Sequence, residues 1–381
     1  KMVLVFKVYE EENYINSLKS KIVMQPEDHL FKERKEKLKE LESKGINPYP
    51  QEFEKKDDIT TILSTYDKLK SEEKAKKKVQ TTGRMMLKRE MGKASFANIQ
   101  DQTGRIQIYV TLDLIKDEYQ TFKKLDIGDI IGVKGTPFRT KKGELSIEVE
   151  SLTLLSKSLR PLPEKWAGLK DVETRYRQRY LDLIVNPEVR ETFVKRAKII
   201  KTIREYLNNK GFLEVETPLL QPTYGGASAK PFTTHLNALD MNIFLSISPE
   251  LYLKRLIVGG FEKIYTICKN FRNEGIDTTH NPEFTMLEFY HAYATYETLM
   301  EMTEELIPLL VKTLYNSYTI KIGDKEFNFK PPFKRVAFRD LILEHTQIDI
   351  DTCRGFEALK NEIVKRKIKN VNIEQAKSYG S

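Results

Sequence analysis

The sequence predicts an α+β protein with two structured parts, and two observations carry that prediction. Between Val79 and Leu155 short β-like runs follow one another, VQTTGRMML, ASFANIQD, GRIQIYV, DIIGVKGTPFRT and ELSIEVESLTLL, separated by glycines and polar clusters. Beyond residue 170, helix-forming stretches surround two apolar and aromatic runs, Ile264–Arg272 and Glu283–Tyr290, that read as paired strands. The 381 residues, 40% hydrophobic and 10% aromatic, suffice for two or three domains with buried cores.

Composition narrows the function classes. A net charge of +9 favours a polyanionic partner, although a chain with 31% charged residues also owes charge to ordinary solubility. The 2 cysteines, Cys268 and Cys353, are too few and too far apart for a disulfide framework and fit a reducing compartment. With 5 scattered histidines and no CxxC, there is no zinc site to build from protein ligands alone. No apolar run approaches the roughly 20 residues of a membrane span. MVLVF at residues 2–6 is too short for a signal-peptide core, so a cytoplasmic protein with no membrane segment is expected.

In chain order, the first residue is Lys1 rather than methionine, and a processed, tagged or otherwise absent segment is expected before it. Residues 1–26 read as a strand and short helix or as a flexible extension, with no function assigned. Glu27–Lys44 reads as a charged helix with a sparse stripe of Leu30, Phe31, Leu38 and Leu41, ended by Gly45, Pro48 and Pro50. Residues 1–78 thus form an N-terminal helical extension, in which Lys74, Lys76, Lys77 and Lys78 read as a solvated helix face. Residues 79–155 predict an OB-fold barrel, whose open face often binds single-stranded nucleic acid. Residues 156–169, with two prolines and the sole tryptophan, read as a linker. Residues 170–381 form the second domain. There Asn186, Pro187 and Gly211 bound a helix with Val189, Phe193, Ala197, Ile200 and Leu207 along one face. FLEVETPLL reads as a strand carrying Pro218. The glycine-rich PTYGGASAKPF lacks the spacing of a P-loop. Ser248, Pro249 and Glu250 open a helix that Gly259 and Gly260 close, and a hairpin is expected around Gly323 and Asp324.

Within the central hairpin, period-two alternation puts Arg272 and Glu274 on one face and Phe284, Met286, Glu288 and Tyr290 on one face of the return strand. If the faces coincide, one surface carries an arginine, two carboxylates, a phenyl ring and a phenol. The joining EGIDTTHNP is longer than chain reversal needs, and such loops usually touch something. From alternation alone, Arg272 and Glu274 read as a surface pair and Phe284 as core.

FRNEG, HNPEF and MLEFY resemble motif 2 of class II aminoacyl-tRNA synthetases, and the whole run is very similar to the lysyl-tRNA synthetase form of the lysine, aspartate and asparagine subgroup. The resemblance extends from about Glu27 to nearly Tyr379. It implies an N-terminal OB-fold barrel followed by a class II synthetase antiparallel sheet flanked by helices. The implied reaction joins lysine and ATP into lysyl-adenylate, then transfers the lysyl group to the 3′ end of the lysine tRNA. Arg272 would bridge the amino-acid carboxylate and the α-phosphate, a task suited to a planar guanidinium. Glu274, His280, Asn281 and Phe284 would hold ATP. Gly226 and Glu250 would meet the lysine α-amine, and Glu288 and Tyr290 its ε-ammonium. On the barrel, Arg89, Phe96, Gln107 and Glu144 would contact the anticodon, whereas the residues alone make Phe96 barrel core, Gln107 a solvent-facing strand residue and Glu144 hairpin charge. The helix near Pro187 and the following strand resemble motif 1 and imply a homodimer. Magnesium is implied, but its ligands in that family, like motif 3, find no counterpart before Ser381, so a longer polypeptide is expected. An aspartyl or asparaginyl enzyme would want positive charge where Glu288 and Tyr290 stand, and a non-catalytic RNA-binding relative would keep the barrel while lacking motif 3.

Overall fold

A computed structural model of the protein describes residues 2–6, 29–163, 169–277, 279–368, 371, 376 and 378. The start of the predicted first helix at Glu27 and the linker's Trp166 lie outside the described residues. The chain divides into two units, Asn13–Glu191 and Thr192–Ser381 with Lys1–Glu12. Strand β1 (Met2–Phe6) belongs to the second.

In the first unit, β2 (Val79–Met91), β3 (Ala94–Gln100), β4 (Arg105–Thr111), β5 (Ile130–Arg139) and β6 (Leu145–Ser156) close into a barrel in the order β2-β3-β4-β6-β5. All pairings are antiparallel except β4 with β6. Strict alternation makes the closure possible: Ala97, Ile99, Ile106, Ile108 and Val110 point inward and are buried. Closure also demands close approach. A Cβ on Gly135 would lie 2.0 Å from the Glu148 carbonyl oxygen, so glycine alone lets β5 and β6 pair there. The helix Glu118–Lys124 adds buried Tyr119 and Phe122 to the core, and the helices His29–Ser43 and Ile59–Thr65 contribute Leu41, Ile59 and Ile62.

One expectation for this unit is corrected. The lysine run lies on extended and turn backbone rather than a helix, and ion pairs to strand carboxylates hold it there: Lys74 Nζ is 2.6 Å from Glu148 and Lys78 Nζ 2.5 Å from Glu150. The stretch after β6 is anchored where it begins. Lys157 is buried, its ammonium 2.6 Å from Asp126 and 2.9 Å from Asp129, and Lys37 reaches Asp126 at 2.8 Å.

In the second unit, β7 (Leu213–Glu214), β11 (Lys263–Phe271), β12 (Glu283–His291) and β1 form one sheet in the order β1-β12-β11-β7. It is antiparallel except where β7 pairs with β11. A smaller sheet orders β8 (Leu220–Gln221), β10 (Met241–Leu245) and β9 (Thr233–Leu236). The expected late hairpin is β13 (Thr319–Ile322) and β14 (Lys325–Asn328), with Gly323 supplying a φ of 59°. Helices Pro187–Asn209 and Tyr296–Tyr315 cover one face of the large sheet: Ile203, Tyr206, Leu207, Met302 and Leu306 pack with Tyr265, Leu287 and Phe289.

Here too the structure departs from expectation. FLEVETPLL is two short strands in different sheets, because Pro218 offers no N–H to a ladder and the chain leaves the first sheet before it. Of the predicted helix face, Val189 and Leu207 are buried, but Phe193 and Ala197 are exposed, since the core beneath the helix gathers only around its C-terminal half.

Candidate functional site

The antiparallel register of β11 and β12 decides which side chains meet. Asn270 lies opposite Phe284, Cys268 opposite Met286, Thr266 opposite Glu288 and Ile264 opposite Tyr290, so these residues share the face of the sheet opposite the helix-covered core. Arg272, just beyond β11, continues that face. Its N–H donates to the Pro282 carbonyl at 2.9 Å, and its guanidinium lies 5.2 Å from the centre of the Phe284 ring. The predicted faces of Arg272 and the return strand therefore coincide. The ring face attracts the guanidinium as a cation and leaves its N–H groups available to hydrogen-bond. Arg272 Nε and the Tyr290 hydroxyl are both buried and make no hydrogen bond among the described residues.

Glu288 is buried at 1% exposure on this face. Burial first, and the charge of Glu288 second, push the Tyr290 phenol well above its ordinary value, so the hydroxyl stays a neutral donor. Cys268 shares the face, and burial raises its thiol too, despite hydrogen bonds from Asn270 and Thr266.

Glu274 lies outside the strand. Its carboxylate accepts the Lys230 N–H at 3.2 Å, and the Asn273 N–H donates to the Lys230 carbonyl at 2.8 Å, tying the glycine-rich stretch to the end of the hairpin. His280 sits in the exposed loop with its Nδ1 2.6 Å from an Asp277 oxygen. The Thr279 N–H and hydroxyl, then burial in the opposite sense, then His280 set the Asp277 carboxyl, which falls to about 2. Asn281 is half-buried beside it.

Gly226 and Glu250 come together as well. Gly226 has φ +86°, and a Cβ there would sit 2.7 Å from the Glu250 Cβ. Glu250 opens the helix Glu250–Val258 and accepts a hydrogen bond from Lys254 one turn on, at 2.7 Å.

On the barrel, Phe96 is half-buried on the outer surface of β3 between inward-facing Ser95 and Ala97, so it is not core. It lies across from Arg89 on β2 and Tyr109 on β4. The Phe96 and Tyr109 rings are 4.8 Å apart and Tyr109 and Phe138 5.9 Å, forming a row of rings. Gln107 donates to Glu144 at 3.2 Å and accepts from the Ser146 hydroxyl at 2.9 Å, holding its amide beside that row. Sequence reasoning missed Tyr109 and Phe138, although the alternation of IQIYV places Tyr109 outward with Gln107.

Comparison with known proteins gives these sites a context. The family of class II tRNA synthetases (D, K and N) matches residues 171–373, and the OB-fold nucleic acid binding domain matches residues 79–155. The chain is 52% identical over 357 residues to a lysine–tRNA ligase of Carboxydothermus hydrogenoformans, covering 93% of this chain and 71% of that one. It is 54% identical over 329 residues to a lysine–tRNA ligase of Syntrophomonas wolfei, covering 86% and 66%. Against lysine–tRNA ligase 2 of Methanosarcina mazei it is 52% identical over 346 residues, covering 90% and 67%. The chain thus spans about two thirds of the length of the curated relatives it matches. With an arginine over a phenyl ring and a buried carboxylate on one sheet face, and a barrel of matching type before it in the sequence, the chain belongs to the lysine–tRNA ligase family of class II tRNA synthetases.

Proposed function

We propose that the protein activates lysine with ATP and transfers it to the 3′ end of the lysine tRNA. The observation that carries this reading is the shared strand face on which Arg272 lies over Phe284 while buried Glu288 stands beside Tyr290. A lysine carboxylate oxygen attacks the α-phosphorus of ATP and pyrophosphate leaves. A hydroxyl of the terminal ribose then attacks the acyl carbon and AMP leaves. The protein positions and neutralises. Arg272 holds the lysine carboxylate and α-phosphate together; Phe284, Glu274, His280 and Asn281 hold the nucleotide. Glu288 and the Tyr290 hydroxyl take the ε-ammonium. Glu250, beside Gly226, takes the α-ammonium, which competes there with Lys254. Burial of a carboxylate on this face favours a cationic substrate side chain over an acidic one, against an aspartyl or asparaginyl activity.

Phe96, with Arg89, Gln107 and Glu144, contacts the anticodon in this reading, an aromatic face and an amide being apt for a splayed-out base. Exposed Phe193 at 50% and Val194 at 62% on the helix Pro187–Asn209 support a homodimer through that surface. The cytoplasm is the proposed compartment, in keeping with free Cys268 and Cys353; among the described residues no helix is long and apolar enough to cross a membrane. Magnesium would neutralise the ATP phosphates. Among the described residues no group of three His, Cys, Asp or Glu side chains gathers to hold an ion, so no step above is assigned to a metal.

Calorimetric titration with lysine, aspartate and ATP tests the reading. Lysine and ATP should bind and aspartate should not. Glu288→Gln should weaken lysine by about 2–5 kcal/mol and leave ATP unchanged. Lysine binding that is absent, or indifferent to Glu288, would remove this face as the amino-acid site.

A further inference from the structure

Ser248, two residues before the helix Glu250–Val258, lies where three of the residues proposed for lysine meet, Glu288, Glu250 and Gly226. It is 2% exposed. Its hydroxyl donates to Glu288 Oε1 at 2.8 Å and accepts the Glu250 N–H at 3.2 Å. A Cβ on Gly226 would lie 3.0 Å from the same oxygen. Two residues earlier, the Ser246 hydroxyl donates to Asn270 at 3.0 Å, and the Ser246 carbonyl accepts the Phe271 N–H at 2.8 Å. The Ser246–Ser248 segment is thus fastened to the β11–β12 face by alternate hydroxyls.

A hydroxyl has one proton, and that of Ser248 goes to the Glu288 carboxylate. Its oxygen meanwhile fixes the first turn of the helix that carries Glu250. Both carboxylates proposed to grip lysine, one for each ammonium group, are therefore indexed to a single oxygen. We infer that Ser248 is a positioning residue for lysine specificity: it sets the orientation of Glu288 and the spacing between that carboxylate and Glu250. The inference rests on the proposed lysine site and adds a residue that touches no substrate in that reading.

The test is the lysine and ATP affinity of the 381-residue chain with Ser248→Ala, Glu288→Gln and the double substitution, measured by calorimetry. A hydrogen bond to a charged group is worth enough that Ser248→Ala should weaken lysine about tenfold or more. ATP affinity should hold. In the Glu288→Gln background the same change should add little, because its effect runs through that carboxylate. Ser248→Cys, which leaves no cavity but donates weakly, should lose in the same direction and guards against a cavity effect in the alanine variant. Full additivity in the double variant, a parallel loss of ATP affinity, or lysine affinity unchanged in both single Ser248 variants overturns the inference alone. A wild-type chain that binds no lysine overturns the proposed site and this inference with it.

Discussion

Phe96 and Ala97 are neighbours with opposite fates, one ring facing outward and one methyl buried in the barrel. If Phe96 is the stacking platform of the proposed anticodon surface, Phe96→Ala should weaken an anticodon stem-loop by about 1–3 kcal/mol in a binding titration, with lysine and ATP affinity untouched. Tyr109→Ala should lose less, because Tyr109 stands behind Phe96, between it and Phe138. At Gly226 the left-handed φ of 86° and the 2.7 Å approach to Glu250 leave no room for a methyl group. Gly226→Ala should therefore impair lysine binding while ATP affinity and the far-UV circular dichroism spectrum persist.

Among the elements, the turn between β3 and β4 is organised by one carboxylate. Asp101 accepts the N–H groups of Ile59 at 3.1 Å, Thr103 at 2.7 Å and Gly104 at 2.9 Å, and pairs with Lys55 at 2.8 Å. Burial alone would raise its pKa; hydrogen bonds from Lys55, Thr103 and Ile59 outweigh burial and bring it down to about 2 from 3.8. The folded value lies below the unfolded one, so its stabilising contribution is complete above the ordinary value and fades as pH falls towards about 2. Urea melts should show Asp101→Asn less stable than wild type at neutral pH, with the gap narrowing in acid across that window. The buried Lys157 gives a second stability test. Lys157→Ala leaves Asp126 and Asp129 without their shared ammonium and should cost about 3–5 kcal/mol in the same melts.

For the whole molecule, what was legible in the sequence divides by the range of the interaction. The barrel strands were readable because alternation and glycine spacing are local signals, and the shared hairpin face because β11 and β12 are close in sequence. Tyr109 beside Phe138, Lys157 against Asp129 and Ser248 against Glu288 were not, since each depends on chain segments brought together only by folding. The break at Pro218 has no local signal, because an edge strand tolerates proline and only the wider topology shows that two sheets share the segment. At this scale the proposed homodimer also has a test: Phe193→Lys should lower the sedimentation coefficient to that of a monomer. The hairpin carries one more implication. Glu288 and Tyr290 are fixed by a strand register, whereas Glu274, His280 and Asn281 ride on the connection beyond it. On the proposed assignment, the nucleotide contacts on the connection, unlike Phe284 on β12, can vary without shifting the frame that selects the amino acid. Inheritance can thus act on the two specificities as separate traits, although they are encoded within one short run of codons.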